Sequence, residues 1–209
     1  MHSKIVVIEG IIGAGKTTLA KRLGDDLGLA VMEEPVETNP YLDVFYQDPP
    51  RYAFEMQMHL LFRRHAAQRE ASWRCANGAK GVVLDRSLPG DRVFCRLHRA
   101  AGNIGPLGWE TYDHAFHIMT VDMLPPRIMV YLDTPPDDAI KRVRARGRAV
   151  EGGVDLSYLK ALSAGYEELL AEIASGRHHW SMGMRVVRVP WHGEPWADGR
   201  LEEVVEMLE

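Results

Sequence analysis

The sequence lacks the features that mark most secreted and membrane proteins. It has two cysteines in 209 residues, Cys75 and Cys95, and their separation suits neither a disulfide framework nor a metal site. The apolar run from Ile5 to Ile8 ends at Glu9, so it is too short for the core of a signal peptide. No apolar stretch is long enough to span a bilayer. We therefore expect a cytoplasmic protein with reduced thiols and no membrane partner.

The sequence also lacks an excess of either charge and any repeat. It has 25 Lys and Arg against 29 Asp and Glu, a net charge of -4, so nothing predicts a general surface for nucleic acid. Any anion site must therefore be local. There is no low-complexity tract or linker, and a hydrophobic content of 46% is enough for one sizeable core. We expect a single domain over residues 1–209.

Short β-branched runs alternate with longer segments of helical periodicity, which is typical of a parallel sheet covered by helices. Strands are predicted at 4–9, 30–33, 82–85, 127–133 and 185–189. Helices are predicted at 16–27, 50–77, 90–101, 107–124, 135–146, 156–175 and 198–208. The polar gaps at 34–49 and 147–155 are longer than most ordered connections, so we expect functional loops there. The fold class is therefore α/β, with three α/β/α layers around a five-stranded parallel sheet.

The segment GIIGAGKT, Gly10 to Thr17, matches the pattern G-x-x-x-x-G-K-[ST] between a predicted strand and a predicted helix. Its glycines let the backbone turn tightly and expose N–H groups, which together with the helix dipole suit a triphosphate. Lys16 would reach the outer phosphates, and Thr17 would offer a hydroxyl to magnesium. The predicted phosphate-binding residues are Gly10, Gly13, Ala14, Gly15, Lys16, Thr17 and Thr18.

Carboxylates follow two other predicted strands, where ligands bind in open α/β folds. GVVLDRS delivers Asp85, which is suited to hold magnesium directly or through water, although a strand-ending Asp often only caps a turn. VMEEPV delivers Glu33 and Glu34. One of these two is the candidate general base for transfer to a hydroxyl, and the other is a solvated turn residue.

A basic segment, RVRARGR, ends a predicted helix. Arg142 and Arg146 share a helix face, while Gly147 frees Arg148 from helical geometry. By itself such a segment is typical of a solvated helix end stabilised by the dipole. Beside a triphosphate site it predicts an arginine-rich lid, over about 142–153, that closes on the transferring phosphoryl group.

Four segments together resemble a known family. EGIIGAGKTT, EEPVETNPYLDVFYQDPPRYAFEMQ, DRS and RARGR occur in this order, and the chain resembles the deoxynucleoside kinases of the bacterial deoxyguanosine and deoxyadenosine kinase type. The resemblance implies a P-loop kinase fold that uses ATP and Mg²⁺. It also implies phosphorylation of a deoxynucleoside, a homodimer and no nucleic-acid partner.

The resemblance implies roles at the catalytic end of the site. Glu34 matches the base for the sugar 5'-hydroxyl. Asp85 and Arg86 match an acidic-Arg-Ser element, in which the acid helps to hold magnesium and the arginine steadies the base and the phosphates. The implied catalytic residues are Glu34, Arg86, Lys16, Arg142, Arg146 and Arg148, and the implied metal ligands are Thr17 and Asp85.

At the substrate end, Tyr46 and Glu151 align with the pair that grips the sugar 3'-hydroxyl, and Gln57 aligns with the amide that reads the nucleobase. Arg64 and Asp91 align with a charged pair found in purine- and cytosine-preferring members. A glutamine offers donors and acceptors to a base edge, and a buried Arg–Asp pair requires hydrogen bonds to each ion. Deoxyadenosine, deoxyguanosine or deoxycytidine is thus expected over thymidine. The implied substrate-binding residues are Glu34, Tyr46, Gln57, Arg64, Arg86, Asp91 and Glu151.

The sequence departs from the family pattern at two places. Pro89 and Gly90 stand where members often have a tyrosine and a polar or acidic residue, which bears on the turn before Asp91. Leu60 stands at a position of the base-facing helix that is often small, which bears on the width of the pocket. Both departures affect the choice of base.

Two rival functions share part of this pattern. A nucleoside monophosphate kinase of the thymidylate kinase type has the phosphate loop, an Asp-Arg element and a lid, but usually a glycine where Val36 follows the Glu-Pro pair. A nucleotide-binding module without turnover is the other rival. The sequence has no Asn-Lys-x-Asp motif for guanine, and a candidate base favours chemistry.

Overall fold

A parallel sheet forms the centre of the molecule, in a computed structural model that describes residues 4–34, 38–148 and 153–192. Its strands are β1 (Ile5–Glu9), β2 (Ala30–Met32), β3 (Val82–Asp85), β4 (Ile128–Asp133) and β5 (Arg185–Pro190), in the spatial order β2-β3-β1-β4-β5. Helices cover both faces, so the inner strands are continuous apolar runs. The predicted α/β fold with a five-stranded parallel sheet is confirmed, and each predicted strand end lies within one residue of the observed end.

Seven α-helices occur in the described ranges. They are α1 (Lys16–Leu27), α2 (Leu42–Gln47), α3 (Pro49–Ala76), α4 (Leu88–Ala100), α5 (Pro106–Val121), α6 (Pro136–Arg146) and α7 (Leu156–Ala174). A proline stands in the first turn of α3, α4, α5 and α6, where its missing N–H costs no hydrogen bond. The helix predicted at 198–208 lies outside the described residues.

The structure differs from the predicted loop at 34–49, because α2 lies within it. This helix has only six residues and buries Phe45 alone, so it is too short to show a helical period in the sequence. Helix α4 also begins two residues before its predicted start. The Ser87 side chain accepts a hydrogen bond from the Gly90 N–H at 3.1 Å and so caps the helix, with Pro89 in its first turn.

The order of the strands places the site. The chain leaves β1 towards β2 and leaves β4 towards β5, in opposite directions across the sheet. Neighbouring strands whose connections diverge leave a crevice at their carboxyl ends, and ligands of open α/β folds bind there. In the register of the sheet, Ile8 lies opposite Asp85 and Glu9 lies opposite Tyr131. The loop after β1 therefore begins beside the carboxyl end of β3.

None of the helices in the described ranges combines the length and the apolar character needed to cross a membrane.

A substitution at Gly24, on α1, can test how closely this helix packs on the sheet. A Cβ at Gly24 would lie 2.3 Å from the Val31 side chain of β2. Alanine improves helix propensity by about 1 kcal/mol, but overpacking costs about 1–3 kcal/mol. We expect Gly24→Ala to lower the free energy of unfolding by roughly 1 kcal/mol in urea denaturation. Gly108→Ala on α5, where the nearest atom would be 3.2 Å away, is the matched control. A more stable Gly24→Ala protein would contradict the close packing.

Candidate active site

The loop between β1 and α1 has the geometry of an anion cradle. Gly10, Gly13 and Gly15 have φ angles of 150°, 83° and 94°, which side chains rarely allow. A Cβ on Gly13 would also lie 2.5 Å from the Ala139 carbonyl oxygen of α6. Helix α1 begins at Lys16, and among the described side chains none caps its first turn. The amides there are therefore available to phosphate oxygens.

The charged and hydroxyl groups of this loop face the ends of the neighbouring strands. The Lys16 ammonium donates a hydrogen bond to the Ile11 carbonyl at 2.9 Å. Burial, with the nearby charge of Arg86, lowers the pKa of Lys16 to about 7. Thr17 donates a hydrogen bond from its hydroxyl to Asp85 at 2.5 Å. An anion in the loop would restore full protonation of Lys16.

Thr17 and Asp85 offer the oxygen ligands that a magnesium ion needs, and one oxygen of Asp85 is still available to bind it. Asp85 Oδ1 is buried and has no hydrogen-bond partner among the described residues. Burial raises the pKa of Asp85, so an additional positive charge beside it would be favourable. Carboxylate and hydroxyl oxygens are the ligand types that Mg²⁺ takes. No group of three or more His, Cys, Asp or Glu side chains that could hold a metal ion occurs in residues 4–34, 38–148 and 153–192.

The two candidate base carboxylates have different surroundings. Glu33 is half exposed and pairs with Lys21 at 3.0 Å. Glu34 is largely buried, accepts a hydrogen bond from Arg86 Nε at 2.9 Å and pairs with Arg64 Nη2. Burial alone would raise the pKa of Glu34, but the charges of Arg64 and Arg86 lower it to about 2. Glu34 is therefore ionised and oriented at neutral pH.

Arg64 links this carboxylate to the other end of the site. Its guanidinium, on α3, pairs with Glu34 through Nη2 and with Asp91 of α4 through Nη1. Asp91 is fully buried, and its second oxygen accepts a hydrogen bond from the Tyr112 hydroxyl of α5 at 2.5 Å. Gln57 donates to the Asp91 backbone carbonyl at 3.4 Å. The Gln57 side-chain oxygen has no partner among the described residues, so it is available to a ligand.

A cavity of about 180 Å³ joins these groups. Its phosphate end includes Gly13, Gly15, Lys16, Thr17, Thr18 and Asp85, and its other end includes Gln57, Leu60, Arg64 and Phe94. The lining also includes Phe45, Tyr46, Met56, His98 and Tyr158. A cavity with a cationic, phosphate-binding end and a polar far end suits an elongated ligand with an aromatic or polar head.

Most predicted site residues line this cavity; among those that the structure describes, Gly10, Ala14, Asp91 and Arg142 do not. Arg146 and Arg148, of the predicted lid, line the cavity, as do Glu34, Tyr46 and Arg86. Asp91 lies behind Arg64 rather than at the surface of the cavity. Arg142 donates a hydrogen bond to the Ala14 carbonyl at 3.3 Å, so it contacts the phosphate loop from α6. Glu151 lies outside the described residues.

Sequence reasoning missed several residues that hold the site together. Phe94 follows Asp91 by one helical turn, so the period of α4 could have revealed that both face the site. Tyr112 bonds Asp91, and Tyr166 accepts a hydrogen bond from Arg86 at 2.9 Å. Their hydroxyls have no local sequence signal, because each meets its partner only through the packing of α5 or α7. His98 likewise reaches the cavity from the last turn of α4.

Comparison with known proteins identifies the family. The family model for deoxynucleoside kinases matches residues 6–188. The chain belongs to the deoxynucleoside kinase family. A match over this length confirms the resemblance seen in the four sequence segments, and it does not favour a monophosphate kinase of the thymidylate kinase type.

Individual members of the family show how far the similarity extends. A deoxyguanosine kinase of Dictyostelium discoideum is 36% identical over 190 residues, which cover 91% of this chain and 65% of that protein. A deoxyguanosine kinase of Bacillus subtilis (strain 168) is 31% identical over 168 residues, covering 80% of this chain and 79% of that protein. Structures of deoxyadenosine kinase from M. mycoides with bound dCTP or bound dATP align with a TM-score of 0.81, at 25% and 26% identity, over 98% of each chain. The expected P-loop kinase fold is thus confirmed for this deoxynucleoside kinase family member.

The free energy of unfolding of variants can test whether Arg64 and Asp91 stabilise each other directly. Removing one member of a buried ion pair leaves a buried charge and typically costs about 3–5 kcal/mol. We therefore expect Asp91→Ala, which also leaves the Tyr112 hydroxyl without its acceptor, to be more destabilising than a surface substitution. The double variant Arg64→Met, Asp91→Ala should lose clearly less than the sum of the two single losses. Urea denaturation at pH 7 measures all three. Additive losses would contradict direct coupling.

Proposed function

We propose that this deoxynucleoside kinase family member transfers the γ-phosphoryl group of ATP to the 5'-hydroxyl of a deoxynucleoside. One observation carries the proposal. The ionised Glu34 carboxylate, held by Arg64 and Arg86, lies in the same cavity as the phosphate loop and the polar groups at the far end. A carboxylate between a triphosphate site and a base-sized pocket is placed to receive the proton of an attacking hydroxyl.

The residues of this cavity have complementary roles in transfer. Glu34 accepts a hydrogen bond from the 5'-hydroxyl, orients it and takes its proton as the oxygen attacks the γ-phosphorus. The bond from the γ-phosphorus to the β,γ-bridging oxygen breaks, and ADP leaves. Lys16 and Arg86 stabilise charge on the phosphate oxygens. The lid arginines Arg146 and Arg148 approach the same oxygens and exclude water on closure, with Arg142 supporting the loop through Ala14. Thr17 and Asp85 would hold Mg²⁺, which when bound neutralises charge on the transferring phosphate.

The far end of the cavity selects the substrate. Gln57 reads the nucleobase with its amide group, whose oxygen has no partner within the described part of the chain. Arg64 presents a guanidinium that Asp91 holds in place. Tyr46, together with Glu151, binds the 3'-hydroxyl. Deoxyadenosine, deoxyguanosine or deoxycytidine is the preferred substrate, in keeping with relatives named deoxyguanosine kinase, deoxyadenosine kinase and deoxyadenosine/deoxycytidine kinase.

The protein acts as a homodimer in the cytoplasm. Helices α3 and α5 pack side by side and expose large apolar side chains, which are Phe62, Trp73, Leu107, Ile118 and Val121. Exposed apolar side chains on paired helices favour association with a second copy. Both cysteines are free thiols, as expected in a reducing compartment.

A direct assay separates the proposed function from its rivals. Purified protein is incubated with ATP, Mg²⁺ and each of the four deoxynucleosides, and in parallel with thymidine monophosphate as acceptor. Formation of a deoxynucleoside 5'-monophosphate supports the proposal. Turnover of the monophosphate alone would indicate a thymidylate-type kinase, and ATP binding without any acceptor turnover would indicate a binding module.

The role of Glu34 predicts a selective loss of turnover. Glu34→Gln keeps a hydrogen-bonding group of the same size but cannot take a proton. We expect kcat to fall by roughly 10²- to 10⁴-fold while the fold and deoxynucleoside binding persist. Glu33→Gln, which removes a surface pair with Lys21, is the matched control and should change kcat by less than about 2-fold. If Glu33→Gln is crippling and Glu34→Gln is active, the base has been assigned to the wrong carboxylate.

The buried pair of Arg64 and Asp91, at the far end of the cavity, predicts discrimination against thymidine. A thymine 5-methyl group against Arg64 would desolvate the guanidinium without offering a hydrogen bond, at a cost of roughly 1–3 kcal/mol. Arg64→Met with Asp91→Ala should raise kcat/KM for thymidine relative to deoxyguanosine by about 10-fold or more. Each single variant should gain less, because it strands one charge. Steady-state kinetics on both substrates measures the ratio. A wild-type enzyme that prefers thymidine would refute this account of specificity.

A further inference from the structure

The backbone at Arg86 is unusual for a residue with a side chain. Its φ angle is 82°, and among the described residues it is the only non-glycine residue with a positive φ. Such a conformation persists only where the surroundings hold it, and it is common at functional sites. Arg86 follows β3 directly and is the residue whose Nε bonds Glu34. The structure around Arg86 therefore helps to decide where the Glu34 carboxylate lies, together with Arg64.

Three contacts hold Arg86 from the side away from Glu34. Its backbone N–H donates to the Ile8 carbonyl at 3.1 Å. Its Nη1 donates to the Gly10 carbonyl at 3.3 Å and to the Tyr166 hydroxyl at 2.9 Å. The first two contacts come from the β1 backbone and the start of the phosphate loop. Tyr166, from α7, is the only side chain in the described part of the chain that accepts a hydrogen bond from Nη1.

Tyr166 is in turn fixed by Glu9, the last residue of β1. The Tyr166 hydroxyl donates to Glu9 Oε2 at 2.7 Å, and the other oxygen of Glu9 accepts from the Ser87 N–H at 2.7 Å and the Ser87 hydroxyl at 2.6 Å. The Tyr166 proton therefore points at Glu9, and its oxygen lone pairs face Arg86. Glu9 is fully buried and lies 3.7 Å from Arg86 Nη1, which compensates its charge.

The sequence makes room for this carboxylate at a position that departs from the family pattern. A Cβ at residue 90 would lie 2.0 Å from Glu9 Oε1, so the first turn of α4 passes directly over Glu9 only because Gly90 has no side chain. Ser87, which bonds Glu9, also caps α4 at this point. Glu9 thus joins the ends of β1 and β3, the start of α4 and the middle of α7 around Arg86.

We propose that Tyr166 and Glu9 are positioning residues for phosphoryl transfer, which fix the Arg86 guanidinium so that it holds Glu34 in register with the phosphate loop. This inference rests on the proposed function. Neither Glu9 nor Tyr166 is part of the lining of the cavity, so neither is expected to touch a substrate bound there. Their effect passes through Arg86 and should appear in turnover rather than in substrate binding. Misplacing a catalytic group by about 1 Å costs on the order of 100-fold in rate.

The test removes one hydroxyl. Tyr166→Phe keeps the buried ring, which packs against Tyr131 and Phe94, and removes only the hydroxyl that bridges Arg86 and Glu9. The direct ion pair of Arg86 with Glu9 remains. We expect kcat per folded molecule to fall by about 10- to 100-fold while KM for the deoxynucleoside changes by less than about 3-fold. Tyr131→Phe is the matched control, because Tyr131 is the buried neighbour whose hydroxyl bonds Ser163 instead. Its kcat should stay within about 2-fold of wild type.

A double-mutant cycle distinguishes positioning from general loss of packing. If Tyr166 acts through Arg86, Tyr166→Phe added to Arg86→Lys should lower kcat by less than about 2-fold more. If Tyr166→Phe lowers kcat by the same factor in the wild type and in Arg86→Lys, the inference is overturned. It is also overturned if the kcat of Tyr166→Phe stays as close to wild type as that of Tyr131→Phe. Glu9→Gln, which keeps the size and the acceptor for Ser87, gives a second route to the same result if Tyr166→Phe folds poorly. It should lower kcat in the same range.

A crystal structure of Tyr166→Phe gives a readout that does not depend on activity. An Arg86 guanidinium displaced from Glu34 supports the inference, and an unmoved guanidinium overturns it. If the wild-type protein phosphorylates none of the four deoxynucleosides, the proposed function fails while this structural readout still decides the positioning of Arg86. If the wild type is active and the Tyr166→Phe enzyme matches it, the positioning inference alone fails.

Discussion

Glu34 keeps its charge inside the cavity because two guanidinium groups reach it from different parts of the fold. Arg64 comes from the middle of α3, and Arg86 comes from the turn after β3. An isolated carboxylate in a buried position would lose several kcal/mol of hydration and would take up a proton instead. Here the two cations lower its pKa to about 2, although burial opposes them. A base that is charged and oriented before the substrate arrives depends on both of these contacts.

The rest of the site can be understood as the support of these two arginines. Arg64 is balanced by Asp91, which α4 and the Tyr112 hydroxyl of α5 hold in place. Arg86 is balanced by Glu9, through Tyr166 of α7. Buried ions of alternating sign thus run from Asp91 through Arg64, Glu34 and Arg86 to Glu9, with a tyrosine hydroxyl bonded near each end. Since each ion has a partner and hydrogen bonds, the cluster avoids the cost of an unpaired buried charge.

Sequence reasoning succeeded where a pattern is local. The bounds of α1 and β3 agree with prediction, because a helical period and a β-branched run are both visible within a few residues. The phosphate loop was also predictable, since its glycines and Lys16 must be adjacent in the chain to form the turn. The helix α2 was missed because six residues are too few to show a period. The choice between Glu33 and Glu34 needed the family resemblance, as both follow the same strand.

The sequence by itself determined the parallel sheet, the phosphate loop and the strand ends that bring Asp85 and Glu34 to one edge, because these depend on residues close together in the chain. Only the tertiary structure decided that Asp91 lies behind Arg64 instead of facing the cavity, and that Tyr112 and Tyr166 complete the ion cluster. Tyr166 meets Glu9 across 157 positions of sequence. Nothing in the local sequence of a tyrosine specifies a hydrogen-bond partner so far away in the chain. The packing of α5 and α7 against α4 and the sheet determines which groups these hydroxyls meet.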